Sequence, residues 1–525
     1  MRTERTGTIT AGTILRPAAW LIATTPALLL LASPTSVHAA CTPPAAGGET
    51  NITITCTGTS SGWGTGDQTD VTVNVASGAT VTDPTAAFNL GSGTVNNEGA
   101  LSGGNWGMYV ALGALTLNNS GSLIGGAYGI QAGGVSVVNN AGAAIEGGSG
   151  HAIWGTTADV TNYGTIRSNT IGVVAIYTSG DTTIRNYAGG FIGGIRSDGN
   201  TLNVVNDGII AMTGYYNGVS NQALTLTNSG SITATLVTAV QGGTVDVVNS
   251  GTISSSGASG IESGSGRIRN VAGATISGTY AAIASSNGIE VENAGSITAT
   301  QGDAILNANF MSPPTRAAKV SNAATGSIIG TTSGVMSAST VDITNYGLIR
   351  GDTGIIAQGS GSSVFNTGNI TGTGGTAISF GGGVNTLTIA PTSIINGTVT
   401  GGSNNVLQLG GTGAGMFDLA ALATQYANFA ALNVVGPARW ELRGTSSLAQ
   451  AITVNGGTMA VTGSLTSSAG VLVNAGGRIE VTGTLASPNG VTVNTGAVLV
   501  GNGTIVGTTT KAHSVAAASC AATPR

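Results

Sequence analysis

The sequence predicts an all-β protein, a right-handed parallel β-helix (solenoid) whose coils are roughly 22 residues long. Three observations point there. An Asn-x-Gly-x-Ile unit or a close variant recurs along most of the chain. Within each unit apolar side chains alternate with polar ones, the pattern of a short strand with one buried face. Glycine accounts for 87 of the 525 residues, against 7% charged and 4% aromatic residues. The hydrophobic fraction of 41%, regularly placed, is too high for a solvated coil.

The unit is clearest at residues 245–261, VDVVNSGTISSSGASGI. Val245 and Val247 alternate with polar neighbours, Asn249, Gly251 and Ile253 follow, and a small polar run leads to Gly260 and Ile261. One unit cannot bury its own apolar face, so copies must stack. The asparagine of the unit falls at Asn97, Asn119, Asn140, Asn162, Asn186, Asn206, Asn228, Asn249, Asn270, Asn293, Asn322, Asn345 and Asn366. At about 4.8 Å per coil, thirteen coils would make a rod roughly 60 Å long. A leucine-rich repeat has a similar period but needs a Leu-rich consensus and a helical return, and neither is present. Asparagine tolerates left-handed backbone and bonds neighbouring backbone, so these residues are expected to form a structural ladder.

Residues 1–39 read as an export signal. Arg2, Arg5 and Arg16 supply a basic start, 18–32 an apolar core too short for a confident membrane span, and Val37-His38-Ala39 the small residues of a cleavage region. Its removal changes the formal charge from −5 to −7, because it carries those three arginines against Glu4. Residues 40–90 are read as the N-terminal cap. After export to an oxidising compartment, Cys41 and Cys56, 15 positions apart, are expected to form a disulfide pinning that cap; two free thiols are the alternative, which a thiol count decides.

The NxGxI array occupies residues 91–380. Its one long interval, from Asn293 to Asn322, contains NFMSPPTRAAK. Pro313 and Pro314 cannot donate to a strand ladder, so this stretch, with Arg316, is expected to leave the rod as a loop, a weak binding candidate or a tolerated insertion. Arg350-Gly351-Asp352 is a second weak candidate, an RGD tripeptide expected at a coil corner, where chance occurrence is the plainer explanation. Residues 381–450 are transition coils gathering Phe417, Tyr426, Phe429 and Trp440. From 451 to 510, ITVNGGTMAVTGSL, VLVNAGGRIEVTGTL and VTVNTGAVLVGNGTI repeat at about 20 residues with a different turn grammar.

The run 417–506, with FDLAAL, NFAALNV, WELRGTSSL and the repeated ITVNGGTMAVTGSL unit, resembles the passenger segment that precedes the translocator in bacterial autotransporters. The repeated unit is similar to that family's passenger-associated transport repeat. The resemblance implies a β-helical passenger at a Gram-negative cell surface, commonly adhesive, with residues 451–506 as the folding seed during secretion. It also implies a translocator β-barrel as partner, which is missing from this chain. Residues 511–525, KAHSVAAASCAATPR, abandon the repeat grammar and contain Cys520; they are read as an aberrant tail of a frameshifted or truncated frame.

Other chemistry is sparse. Lys319 and Lys511 are the only lysines, so no basic patch offers itself to nucleic acid or an anionic membrane. The best acidic groups are Glu290 with Glu292, and Asp342 with Arg350 and Asp352. Glu290 and Glu292 flank Val291 and are expected to share a solvated face. His151, beside Trp154, lacks a titratable partner in sequence reach and is expected as a packed surface residue. No phosphate-binding loop or calcium-binding nonapeptide occurs. The expectation is therefore an exported monomeric adhesin or cell-contact protein, without catalytic residues, cofactor or metal. It would bind a host or bacterial surface protein or glycan, at the cell surface if joined to a barrel and otherwise in the periplasm. A β-helical polysaccharide lyase or hydrolase is the second reading, and a non-functional passenger fragment the third.

Overall fold

A computed structural model describes residues 40–309, 312–402, 404–426 and 428–511. The signal expected at 1–39 and the tail beyond Lys511, with His513 and Cys520, lie outside the described residues. The chain is about 60% strand and 1% helix, a parallel β-solenoid of about 22 turns with coils of about 21 residues. That exceeds the thirteen repeats read from asparagine alone, because the cap, the transition segment and the C-terminal repeats also contribute coils.

Each array coil has three limbs. Limb A and limb B are separate strands in the coil of Ile176–Thr178 and Thr182–Asn186, and run together as one strand in Val240–Asn249; limb C is short, as in Thr252–Ser255. Every limb pairs in parallel with the same limb of the next coil, so like residues stack on like. In limb C, Ile232, Ile253, Ile276, Ile297, Ile328, Ile349 and Ile370 form one unbroken inward column, all of them fully buried. Each contributes on the order of 1.5–3 kcal/mol by leaving water. The β-branched side chain suits this pleated, packed environment.

The third inward position of limb B is the asparagine. Its amide nitrogen donates to the side-chain oxygen of the next coil in twelve consecutive steps from Asn97 to Asn366, at 2.7–2.9 Å. One rung differs from the expectation: the ladder residue is Asn139, fully buried, and Asn140 faces outward and donates to Ser120. Asn139 continues the inward phase of Val135 and Val137, and Asn140 is one residue out of it. The turn after Asn139 is the longer form, with Gly142 at φ +80°, as Gly273 at φ +81° follows Asn270.

Parallel stacking begins with Thr53–Cys56 on Val71–Val75. A disulfide joins Cys41 to Cys56, and Cys41–Thr42 runs antiparallel along the outer edge of Thr53–Cys56. This covers a strand edge that would otherwise offer unpaired backbone groups. In the transition segment Phe417, Tyr426, Phe429 and Trp440 are all buried, with Trp440 Nε1 donating to the Gly410 carbonyl at 3.0 Å. The C-terminal repeats stack as columns of Met459, Ile479 and Leu499, and of Leu465, Leu485 and Ile505. The only helix among the described residues is one turn, Ala421–Thr424, and no helix there is long and apolar enough to cross a membrane.

Candidate functional site

Parallel register makes columns on the outside of the solenoid as it does inside. On limb A the outward column runs Tyr109, Gln131, Trp154, Tyr177 and Arg196. It continues through Ser220, Gln241, Glu262, Ala284 and Leu306. These residues lie far apart in sequence and touch because each occupies the same phase of its coil.

The first half of the column is aromatic. Trp106 packs on Tyr109 with ring centroids 4.8 Å apart, and its Nε1 donates to Gln131 at 2.7 Å. Tyr128 lies 5.0 Å from Trp154 and 6.2 Å from His151, and His151 stacks on Tyr177 at 5.2 Å. Arg196 lies over Tyr177 at 5.9 Å and over Tyr216 at 5.8 Å, within cation–π range. Asp198 accepts from Arg196 at 2.9 Å and from the Tyr177 hydroxyl at 2.8 Å. The Arg196 hydrogen bond holds the Asp198 carboxyl below its ordinary value, and donation to Asp198 raises the Tyr177 phenol. Burial depresses the His151 imidazole; its 2.7 Å contact with the Val174 carbonyl works the other way, and the charge of Arg196 adds to the depression.

The second half is a groove of about 900 Å³ crossing six coils, from Arg196 and Asp198 to Leu306, Ala308 and Asn309. Its lining is mostly small or amide-bearing: Ser220, Gln222, Gln241, Gly242, Gly243 and Gly264 among others. Asn217 donates to Gln241 at its edge, and Thr238 donates to Glu262 at 3.1 Å. Beneath it runs a second buried polar column in which Asn221 donates to the Ser197 and Gly199 carbonyls, and Ser285 to the Gly288 carbonyl. Ser263 breaks the pattern. It lines the groove, is 5% exposed, and its hydroxyl has no hydrogen-bond partner.

The proline segment joins limb A, Asp303–Asn307, to limb B, Ala318–Asn322. It does not stand free. Thr315 donates to Asn287 through its backbone and hydroxyl, the Arg316 carbonyl accepts from Asn307 at 3.1 Å, and Pro314 is buried while Pro313 and Arg316 are exposed. Its beginning, Ala308 and Asn309, lines the groove. The RGD tripeptide lies within the strand Leu348–Ala357, where the register shifts between Gly351 and Thr353. Arg350 and Asp352 are exposed at this bulged corner, which is not a projecting loop.

The acidic groups separate. Asp342 belongs to limb B, in Val341–Asn345, whereas Arg350 and Asp352 sit at the passage from limb C to limb A. Glu290 stands in an outward limb B column of alternating sign, Asp246, Arg267, Glu290, Lys319 and Asp342. Glu292 pairs with Arg267 and lies 3.7 Å from Arg269. Both glutamates thus occupy a charge ladder on a solvated sheet face. Among the described residues no group of three or more His, Cys, Asp or Glu side chains is placed to hold a metal ion.

Sequence reasoning named His151 and Trp154 but missed Gln131, Tyr177, Arg196, Gln241 and Glu262. The signal was present: Gln131, Trp154, Ser220, Gln241 and Glu262 each stand eight positions before a ladder asparagine. No family model, no curated protein and no solved structure matches the chain.

Proposed function

We propose that this chain is the exported passenger of an autotransporter and acts in adhesion or cell contact through the outward face of limb A. The observation that carries the reading is the continuous outward column of limb A, in which half-buried rings and amides at Tyr109, Gln131, Trp154, Tyr177 and Gln241 share one surface with Arg196, Ser220 and Glu262 while the solenoid core stays sealed. A rigid solenoid holds such groups at fixed spacing, so many weak contacts act together. The resemblance of residues 417–506 to autotransporter passengers supports export to a surface. The alternating charges of the Glu290 column and the pairing of Glu292 with Arg267 support binding over catalysis.

The reading is tested with beads coated with the purified full chain and offered to epithelial and bacterial cells. Trp154→Ala combined with Gln241→Ala is expected to lower bead attachment severalfold, while Glu290→Gln on limb B leaves it unchanged. Attachment no better than that of albumin-coated beads would overturn the reading.

A further inference from the structure

We infer that the limb A groove is a binding site for a neutral, extended glycan chain lying along the solenoid axis, with Tyr216 as a ring platform at one end. This rests on the adhesive reading above and names the ligand class of the same face.

Four features converge on that chemistry. The first is shape: the groove crosses six coils, about 24 Å at the usual strand spacing, so it accepts a narrow polymer rather than a compact ligand. The coil repeat is close to the length of one hexopyranose residue, so successive sugars meet equivalent positions. The second is functional groups. Gln222, Gln241, Asn217 and Ser220 offer both donors and acceptors, which suits hydroxyls that do both. Tyr216 is 46% exposed beside Arg196, giving an apolar ring face with a polar rim.

The third feature is charge. Arg196 is neutralised by Asp198, leaving Glu262 as the one groove carboxylate without a cationic partner, its oxygen bonded to Thr238. A polyanion would meet a net negative surface, so acidic polysaccharides and nucleic acids are disfavoured. The fourth is the closed backbone beneath the groove, which disfavours a polypeptide ligand. The groove lies over a sheet face whose backbone groups are already bonded coil to coil, so an extended peptide gains none of the main-chain bonds that strand addition supplies.

The test is isothermal titration of the purified full chain with two neutral hexasaccharides, β-1,4-linked glucose and β-1,4-linked N-acetylglucosamine, against oligogalacturonate as the acidic comparator. Binding to a neutral probe is expected, weakened about tenfold by Tyr216→Ala and by Gln241→Ala, with oligogalacturonate bound weakly or not at all. Unchanged far-ultraviolet dichroism and melting of both variants confirm that the solenoid is intact; should either variant unfold, Ser220→Arg, which places a long cation in the groove, replaces it. Preference for oligogalacturonate, or neutral binding indifferent to every groove substitution, would overturn the inference. So would absence of neutral binding while coated beads still attach in a Gln241-dependent manner, which leaves the adhesive reading standing with a non-glycan ligand. Loss of attachment itself removes both.

Discussion

Asn249 Nδ2 donates to Asn270 Oδ1 at 2.9 Å, and Asn228 Nδ2 donates to Asn249 Oδ1 at 2.8 Å, so each ladder asparagine is at once donor and acceptor inside an apolar core. The amide nitrogen also reaches backbone: Asn249 Nδ2 donates to the Gly251 carbonyl at 3.2 Å and to the Thr275 carbonyl of the next coil at 3.1 Å. A fully satisfied buried amide row fixes coil register, because a one-residue slip would leave donors and acceptors unmatched.

Asn249→Ala removes one rung and leaves Asn270 Oδ1 without its cross-coil donor. The expected loss is about 2–3 kcal/mol, read as a lower urea midpoint and as faster amide exchange in the coils of Asn228 and Asn270. Exchange unchanged in both neighbours would show that the ladder is incidental.

Gly251→Ala is expected to cost about 1–3 kcal/mol although the residue is not in left-handed backbone. A Cβ there would stand 2.1 Å from the Gly230 carbonyl oxygen of the coil before, and Gly230 stands in the same relation to Gly208. The small residue is demanded by the stacking distance, and melting of the variant measures it.

Cys41→Ser opens the loop that the disulfide closes. With the cysteines 15 positions apart, the expected loss is about 3 kcal/mol at the N-terminal end. Limited proteolysis should then nick residues 40–60 first while the array remains protected, since each coil depends chiefly on its neighbours. Simultaneous loss of the whole array would contradict a local cap.

Burial lowers the His151 pKa below the usual imidazole value of 6.5, so the folded state resists a proton that the unfolded chain accepts. The stabilisation is complete above pH 6.5 and declines as the pH falls towards the folded value. His151→Gln should flatten this acid limb of the stability profile, and an identical limb in the variant would assign it elsewhere.

Tyr426 behaves in the opposite sense. Burial pushes its phenol from 10 up to about 12, so its contribution is intact below pH 10 and is lost as the pH rises through 12. Ultraviolet titration should find a tyrosine ionising near pH 12, and Tyr426→Phe should remove that step.

The buried half of the molecule was legible because alternation reports directly which side chains face inward: Val245, Val247 and Asn249 declare their phase within five residues. Asn140 was misplaced because an Asn-Asn pair presents two residues of one type in opposite phases, and only continuation from Val137 separates them. The disulfide of Cys41 and Cys56 followed from compartment and count. The outward column was not read. Its members are ordinary surface residues singly, and coil lengths that vary with each turn hide their alignment until the ladder asparagines set the register.

Everything proposed for limb A depends on that alignment, which electron spin resonance distances test most directly. In a Cys520→Ser background, spin labels paired at Gln131 and Gln241 span five coil steps, and labels at Gln131 and Glu262 span six. The expected separations are about 24 Å and about 29 Å, differing by one coil of about 5 Å. Separations that do not rise by one coil step between the two pairs would contradict the common register, and with it the continuous binding face.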